Sequence, residues 1–270
     1  MKKLLTLALA LLMIVSCFAF ASCTKEPTAY ELVSSAVEKS AALQNIELEQ
    51  TVNMKMDMMD MLGMSVEVPI TMTMKGKDIN SENAVYYSLV NTTMMGMSVD
   101  STVYIEGTDV YTLTMGEGFK MHLDSLEGEY DIAKDLTAVF SCPAESVFEG
   151  VMIVNNEDGT RSVSLVMTQD EYINSYRPYY DSLVGELGVG TDGVKISDIK
   201  VTVTVNKDGY VCGYKMSCVI DAKMNEMGME LDVKANVDTD IKFVNIGGNV
   251  TITPPEGYKD FTEIPADSET

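Results

Sequence analysis

Methionine is the residue type that could give this sequence an unusual chemistry, because it occurs 21 times in 270 residues while tryptophan is absent. The densest group contains Met54, Met56 and Met58, whose spacing of two places them on one face of a β-strand. Three interpretations are open: methionines fill a core, form a deformable lining for a flexible apolar ligand, or bind copper(I) through their thioethers. Met72 and Met74 repeat the alternation with isoleucine and valine as companions, which is typical of core or lining residues.

Side chains that catalyse reactions are scarce and scattered. The only histidine is His122, at a predicted strand end, and Cys142 precedes a proline with no histidine near it in the sequence. The carboxylates fall mostly on solvent-facing strand positions or in turns. Glycine patterns for nucleotide phosphates, the Gly-x-Ser-x-Gly nucleophile motif and the His-Glu-x-x-His zinc motif do not occur. We therefore predict a protein that is not an enzyme and that uses no cofactor and no catalytic metal ion.

The charge balance excludes one large class of partners. The chain has 41 acidic and 19 basic side chains, a net charge of −22 and a pI near 4.2. A surface this negative repels phosphate backbones, so we expect no nucleic acid to bind. Hydrophobic residues make up 46% of the chain, which is enough apolar surface to build a core.

The N-terminus is typical of an export signal. Two lysines are followed by the apolar run 4–20 and by two small residues before Cys23. The stretch 20–23 resembles a bacterial lipobox, in which the cysteine is acylated and becomes the new N-terminus. We predict a signal peptide at 1–22, lipidation of Cys23 and a polar tether at 23–28, and hence an exported protein anchored by lipid to the outer surface of the cell membrane.

Two alternatives to lipidation at Cys23 stay open. Cys17 has the better local lipobox, with Ile14, Val15 and Ser16 before it, although cleavage there would leave the apolar stretch 18–21 on the mature protein. An ordinary secretory signal without lipidation is the other alternative.

Two amphipathic helices are predicted, at 28–44 and 169–187. Each begins with a capping box, formed by Thr28 with Glu31 and by Thr168 with Glu171. Pro178 should kink or split the second helix.

The rest of the chain alternates apolar and polar residues, which predicts about eleven β-strands with one wet face. The strands are predicted at 46–58, 66–75, 84–94, 97–106, 109–115, 118–123, 147–155, 160–167, 199–205, 210–222, 227–243 and 250–253.

These elements predict a mainly β (α+β) fold. We expect a single curved antiparallel sheet, a half-barrel of about eleven strands, with the helices on the concave face, over residues 29–254. An acidic C-terminal tail should follow at 255–270. Two helices about 26–28 Å long cannot cover an apolar face this wide, so an open hollow should remain.

The layout resembles the LolA/LppX-type lipoprotein fold, and more narrowly surface lipoproteins of Firmicutes that share this half-barrel. The resemblance rests on Cys23, the helix at 28–44, the methionine-rich hairpin at 54–74 and the segments 104–111 and 206–210. It implies an open curved sheet with helices on its concave side, which in well-known members holds acyl chains and carries no catalytic residues.

The leading hypothesis is a membrane-anchored lipoprotein that binds or carries a hydrophobic, lipid-like molecule in the hollow of the sheet. The first alternative is a non-enzymatic structural or interaction module on the cell surface, and the minor alternative is methionine-rich copper(I) binding. The residues predicted to line the hollow are Met54, Met56, Met58, Met72, Met74, Tyr176, Tyr180, Met229 and Leu231.

Overall fold

The computed structural model describes residues 26–58, 64–94, 96–123, 140–186, 193–226 and 229–264. The signal peptide, Cys17, Cys23 and the predicted turn at 60–63 lie outside the described residues. Side-chain positions are not described for several residues inside helices and strands, Met58, Met229 and Leu231 among them.

Twelve strands of the described residues form one open, curved sheet in the order β12-β6-β5-β4-β3-β2-β1-β11-β10-β9-β8-β7. All neighbours pair antiparallel except β12, which lies parallel to β6. This confirms the predicted fold class, since β12 and β7 are edges and the sheet does not close. The strands are β1 Ile46–Met58, β2 Met64–Lys77, β3 Val85–Met94, β4 Met97–Glu106, β5 Asp109–Thr114, β6 Glu117–His122, β7 Ile153–Asn155, β8 Arg161–Met167, β9 Val194–Val205, β10 Val211–Glu226, β11 Met229–Ile246 and β12 Thr262–Glu263.

Two strand predictions differ from the structure. The strand predicted at 147–155 is reduced to β7, because Glu145–Phe148 forms a 3-10 turn that buries Val147 and Phe148. The last strand is β12 and not 250–253. Alternation indicates an extended segment, but only a free sheet edge beside it can make that segment a strand.

The two helices begin where their capping boxes predict. Helix α1 runs Ala29–Ala41, and the Thr28 side chain accepts a hydrogen bond from the Glu31 N–H while the Glu31 carboxylate accepts from the Thr28 N–H. Helix α2 runs Gln169–Glu186 and has the same box at Thr168.

A kink interrupts α2, as Pro178 predicts. The non-helical residue is Tyr176, with φ −128° and ψ 35°. It lies two residues before the proline, whose ring clashes with the preceding turn and whose nitrogen has no hydrogen to donate.

Both helices pack on one face of the sheet, which we call the inner face. Helix α1 contacts β9 and β10, and α2 contacts β9. Beneath them the aliphatic side chains of β8 and β9 are fully buried, with exposed fractions of 0 to 1%. This group is Val163, Leu165, Ile199, Val201 and Val205. Burying a valine or leucine side chain contributes about 1.5–3 kcal/mol, so this half of the sheet holds the main core.

The C-terminal end of α1 is fastened to the turn between β9 and β10. The buried Ser40 hydroxyl accepts a hydrogen bond of 2.9 Å from the Val211 N–H. The Lys39 ammonium donates to the Asp208 carbonyl at 2.5 Å and lies 4.1 Å from the centre of the Tyr210 ring. These contacts fix one end of the helix over one end of the sheet.

Candidate ligand-binding face

Strand register assembles the predicted methionines on the inner face of the central strands. Met54 lies opposite Val68 of β2 and Val237 of β11. Met72 and Met74 of β2 lie opposite Gln50 and Leu48 of β1. Directly opposed residues of an antiparallel pair share a face, so the two strands contribute one continuous surface.

The inner face is covered unevenly. At the lower end of β1, Ile46 and Leu48 have exposed fractions of only 2% and 3%. Further along the same strand, Val52, Met54 and Met56 are only half-buried, although they pack against the core. The same half-burial extends across β2, β3 and β4. This set is Val66, Ile70, Met72, Met74, Val90, Val99 and Val103.

This half-covered surface is uncharged. Pairing from β1 to β5 places only aliphatic, methionine, tyrosine and small or neutral polar residues on the inner face of those strands, within the described residues. Charged residues of the same strands lie on the opposite, outer face, for example Glu47, whose carboxylate pairs with the Lys75 ammonium at 3.0 Å. An apolar surface that is incompletely covered is suited to a hydrophobic molecule.

Burial also keeps a neighbouring thiol neutral. Cys218 of β10 lies opposite Val237 on the inner face and is 6% exposed. Burial, together with the charge of Asp238, raises the pKa of its thiol to about 11. At neutral pH this group therefore adds to the apolar surface.

The two predicted tyrosines lie on the packed side of the face. Tyr176 and Tyr180 are each 3% exposed and belong to the core under α2. The Tyr176 ring is 5.3 Å from that of Tyr172 and 6.1 Å from that of Tyr214. The structure thus places them in an aromatic group that joins α2 to β10.

Three predicted lining residues are described by their backbone only. Met58 ends β1 opposite Met64, and Met229 begins β11 opposite Glu226. Leu231 lies opposite Met224. All three belong to the upper ends of the long central strands, the same ends toward which the burial of β1 decreases.

Three clefts formed by described residues lie elsewhere. One of about 460 Å³ includes Thr51, Lys200 and Asp240, and one of about 440 Å³ includes Asp100 and Leu113. Both open mainly on the outer face. A third, of about 520 Å³, lies between α2 and the segment 141–147. None of these three is lined by the nine predicted residues.

Other chemistry is sparse in the part of the chain that the structure describes. No group of three or more His, Cys, Asp or Glu residues there could hold a metal ion. Burial raises the pKa of the Cys142 thiol to about 11, which keeps the reactive thiolate rare at neutral pH. No described helix is long and apolar enough to cross a membrane.

Sequence reasoning missed two groups of residues. Val52, Ile70 and Val90 share the half-covered face, and their alternation with polar neighbours was the available signal. The second group is an aromatic cluster on the outer face, where Tyr258 contacts Tyr104 and Tyr111. Nothing in the local sequence indicates that a segment after Pro255 folds back onto strands more than a hundred residues earlier.

Comparisons with known proteins add resemblances of fold. No protein-family model and no curated protein matches the sequence. Among solved structures, LprF from Mycobacterium bovis has 18% identity and a TM-score of 0.43, with 85% of this chain and 97% of that chain covered. A LolA superfamily protein from Nitrosomonas europaea has 10% identity and a TM-score of 0.27, covering 81% and 94%. A DUF1329 family protein from Desulfovibrio piger has 9% identity and a TM-score of 0.25, covering 82% and 92%.

These TM-scores are low, so the fold assignment rests on the sheet itself. The single open antiparallel sheet with two helices on its inner face is the LolA/LppX-like layout that the sequence predicts. That layout is confirmed.

Proposed function

We propose that this protein is a non-enzymatic lipoprotein that binds a hydrophobic molecule, such as an acyl chain, on the inner face of β1–β5. The observation that supports the proposal is the contrast in burial within one face of one sheet. Val201 and Val205 are fully buried beneath the helices, whereas Met54 and Met72 are only half-buried.

The composition of this surface fits a flexible ligand better than a rigid one. Methionine side chains have three rotatable bonds and adapt to varied apolar shapes. Met54 and Met56 have aliphatic cross-strand neighbours, namely Val68, Val66, Val237 and Ala235. These neighbours give a continuous hydrocarbon surface, as a lipid chain requires.

Membrane attachment is the second part of the proposal. Cys23 would carry the lipid, and the residues from 24 to 28 would tether α1 to the membrane surface. A chain with a net charge of −22 gains nothing from an anionic leaflet, so acylation would supply the attachment.

A titration with a fluorescent fatty acid tests ligand binding. The protein is the chain from residue 23 onward with Cys23→Ser, which removes the signal peptide and the acylation site. We expect saturable binding, and at least a tenfold weaker affinity in Met72→Glu, because a carboxylate on the inner face would lose hydration beside the acyl chain.

Thr71→Glu is the matched control, since Thr71 is the next residue of β2 and is exposed on the outer face. It should bind as the unsubstituted protein does. No saturable binding, or equal weakening by both substitutions, would contradict the proposal.

A further inference from the structure

The segment 257–264 folds back over the outer face of β4–β6, and we call it the strap. Gly257 begins it with a φ of +69°, and Tyr258–Asp260 forms a 3-10 turn. Strand β12 then pairs in parallel with β6, and the Ile264 N–H donates to the Lys120 carbonyl at 2.8 Å. The strap is therefore an extended peptide laid on a sheet edge.

The strap occupies a shaped groove. Tyr104 and Tyr111 form its floor, with exposed fractions of 4% and 5%. The Tyr258 ring meets both edge-on, at centroid distances of 5.3 and 4.8 Å. The Tyr258 hydroxyl lies 3.4 Å from a carboxylate oxygen of Glu106.

A second anchor lies at the edge strand. The Phe261 ring covers Gly118 so closely that an added Cβ would meet its ring carbons at 2.4–2.6 Å. Two aromatic residues three positions apart thus fill two adjoining pockets, one over the tyrosines and one over a residue without a side chain.

The strap is held by few contacts besides these rings. Only Thr262 and Glu263 pair with β6. The strap's remaining surface faces solvent, and Lys259, Asp260, Thr262 and Glu263 are all exposed. Short edge pairings of this kind open at low free-energy cost compared with the core.

The linker also makes docking within one chain costly. Five strands separate β11 from β6, which is a distance of about 29 Å at about 4.8 Å per strand. The eleven residues 247–257 reach about 36 Å when fully extended. The linker must stay close to its full length, so the strap has a low effective concentration at its own groove.

We propose that the groove of one copy binds the strap of a second copy, which gives a strap-exchanged dimer. The partner strap would make the same ring contacts and the same parallel pairing with β6. Its linker would run from the neighbouring molecule and would be free of the extension that docking within one chain imposes.

A complementary pair of variants tests this proposal in the Cys23→Ser chain that begins at residue 23. The donor is Gly118→Ala, in which the new methyl group displaces Phe261 and frees the strap while blocking the groove. The acceptor ends at residue 256 and has an empty groove but no strap. Each variant alone should be a monomer, and their equimolar mixture should double in mass by light scattering.

Controls keep the test decisive. Gly213→Ala is the matched donor control, because it is also a strand glycine but its Cβ would meet only ordinary contacts of 3.5 Å or more. It should not dimerise with the acceptor. A second acceptor, Tyr258→Ala with Phe261→Ala in the full-length chain, replaces the shortened one if that chain does not fold. A mixture of folded donor and folded acceptor that stays monomeric would overturn the proposal.

Discussion

Single residues on the outer face form a charge network that gives a prediction about pH. The Asp109 carboxylate lies 3.0 Å from the Lys120 ammonium, 3.0 Å from the Tyr111 hydroxyl and 2.6 Å from the His122 Nδ1. Partial burial acts to raise the pKa of Asp109. The hydrogen bonds from Lys120 and Tyr111 and the nearby positive charges lower it more, to a value below 3.8.

An acid whose pKa is lowered by folding stabilises the folded state above its unfolded pKa. The stabilisation is present at neutral pH and is lost as the pH falls through the folded pKa. We expect Asp109→Asn to lower the melting temperature at pH 7, and the difference from the unsubstituted protein to shrink below pH 3.8.

Thermal denaturation followed by circular dichroism from pH 7 to pH 2 measures this difference. Glu149→Gln, at an exposed loop position, is the control and should show little difference at pH 7. A difference for Asp109→Asn that is constant, or that grows toward low pH, would contradict the network's role.

Residue-scale patterns predicted the inner face well because side chains alternate along every strand. Met54, Met56, Met72 and Met74 share the face that their parity indicated. Parity does not report coverage, however. Tyr176 and Tyr180 lie under α2 while Met72 is half-buried, and that contrast depends on where the helices pack.

At the scale of elements, α1 is joined to the sheet by one buried hydrogen bond that can be removed alone. Ser40→Ala would leave the Val211 N–H buried without an acceptor, which costs about 1–3 kcal/mol. We expect the free energy of unfolding in urea to fall by that amount with an unchanged slope.

Ser35→Ala is the matched control, because Ser35 lies on the exposed side of the same helix. Its unfolding free energy should change by less than about 0.5 kcal/mol. Equal effects of the two substitutions would show that helix propensity, and not the bond to β10, decides the result.

Helix boundaries were predictable because capping boxes are local signals. Thr28 and Thr168 both cap helices, and Pro178 lies just after the kink. The position of β12 was not predictable in the same way. A two-residue strand needs the free edge of β6, and the chain must cross five strands to reach that edge.

At the scale of the whole molecule, the predicted architecture follows from an imbalance between sheet and helix. Strong alternation in about eleven segments and only two helices predicted an open sheet, and the structure has twelve strands with two free edges. Sequence could not show which part of the inner face the helices leave half-covered. That depends on tertiary contacts of α1 and α2 with β9 and β10.

Membrane anchoring gives a prediction for the complete protein in a bacterial host. Cys23→Ala should abolish incorporation of a labelled fatty acid and should move the protein from the membrane fraction to the soluble exported fraction. Cys17→Ala should change neither. Loss of labelling in Cys17→Ala alone would place the anchor at the earlier cysteine.

The central claim is that the half-covered inner face holds a hydrophobic molecule. Its most direct test is native mass spectrometry of the Cys23→Ser chain after export from a bacterial host, followed by organic extraction. The account predicts a bound lipid in the unsubstituted protein and its loss in Met72→Glu but not in Thr71→Glu. A lipid-free spectrum in all three proteins would contradict it.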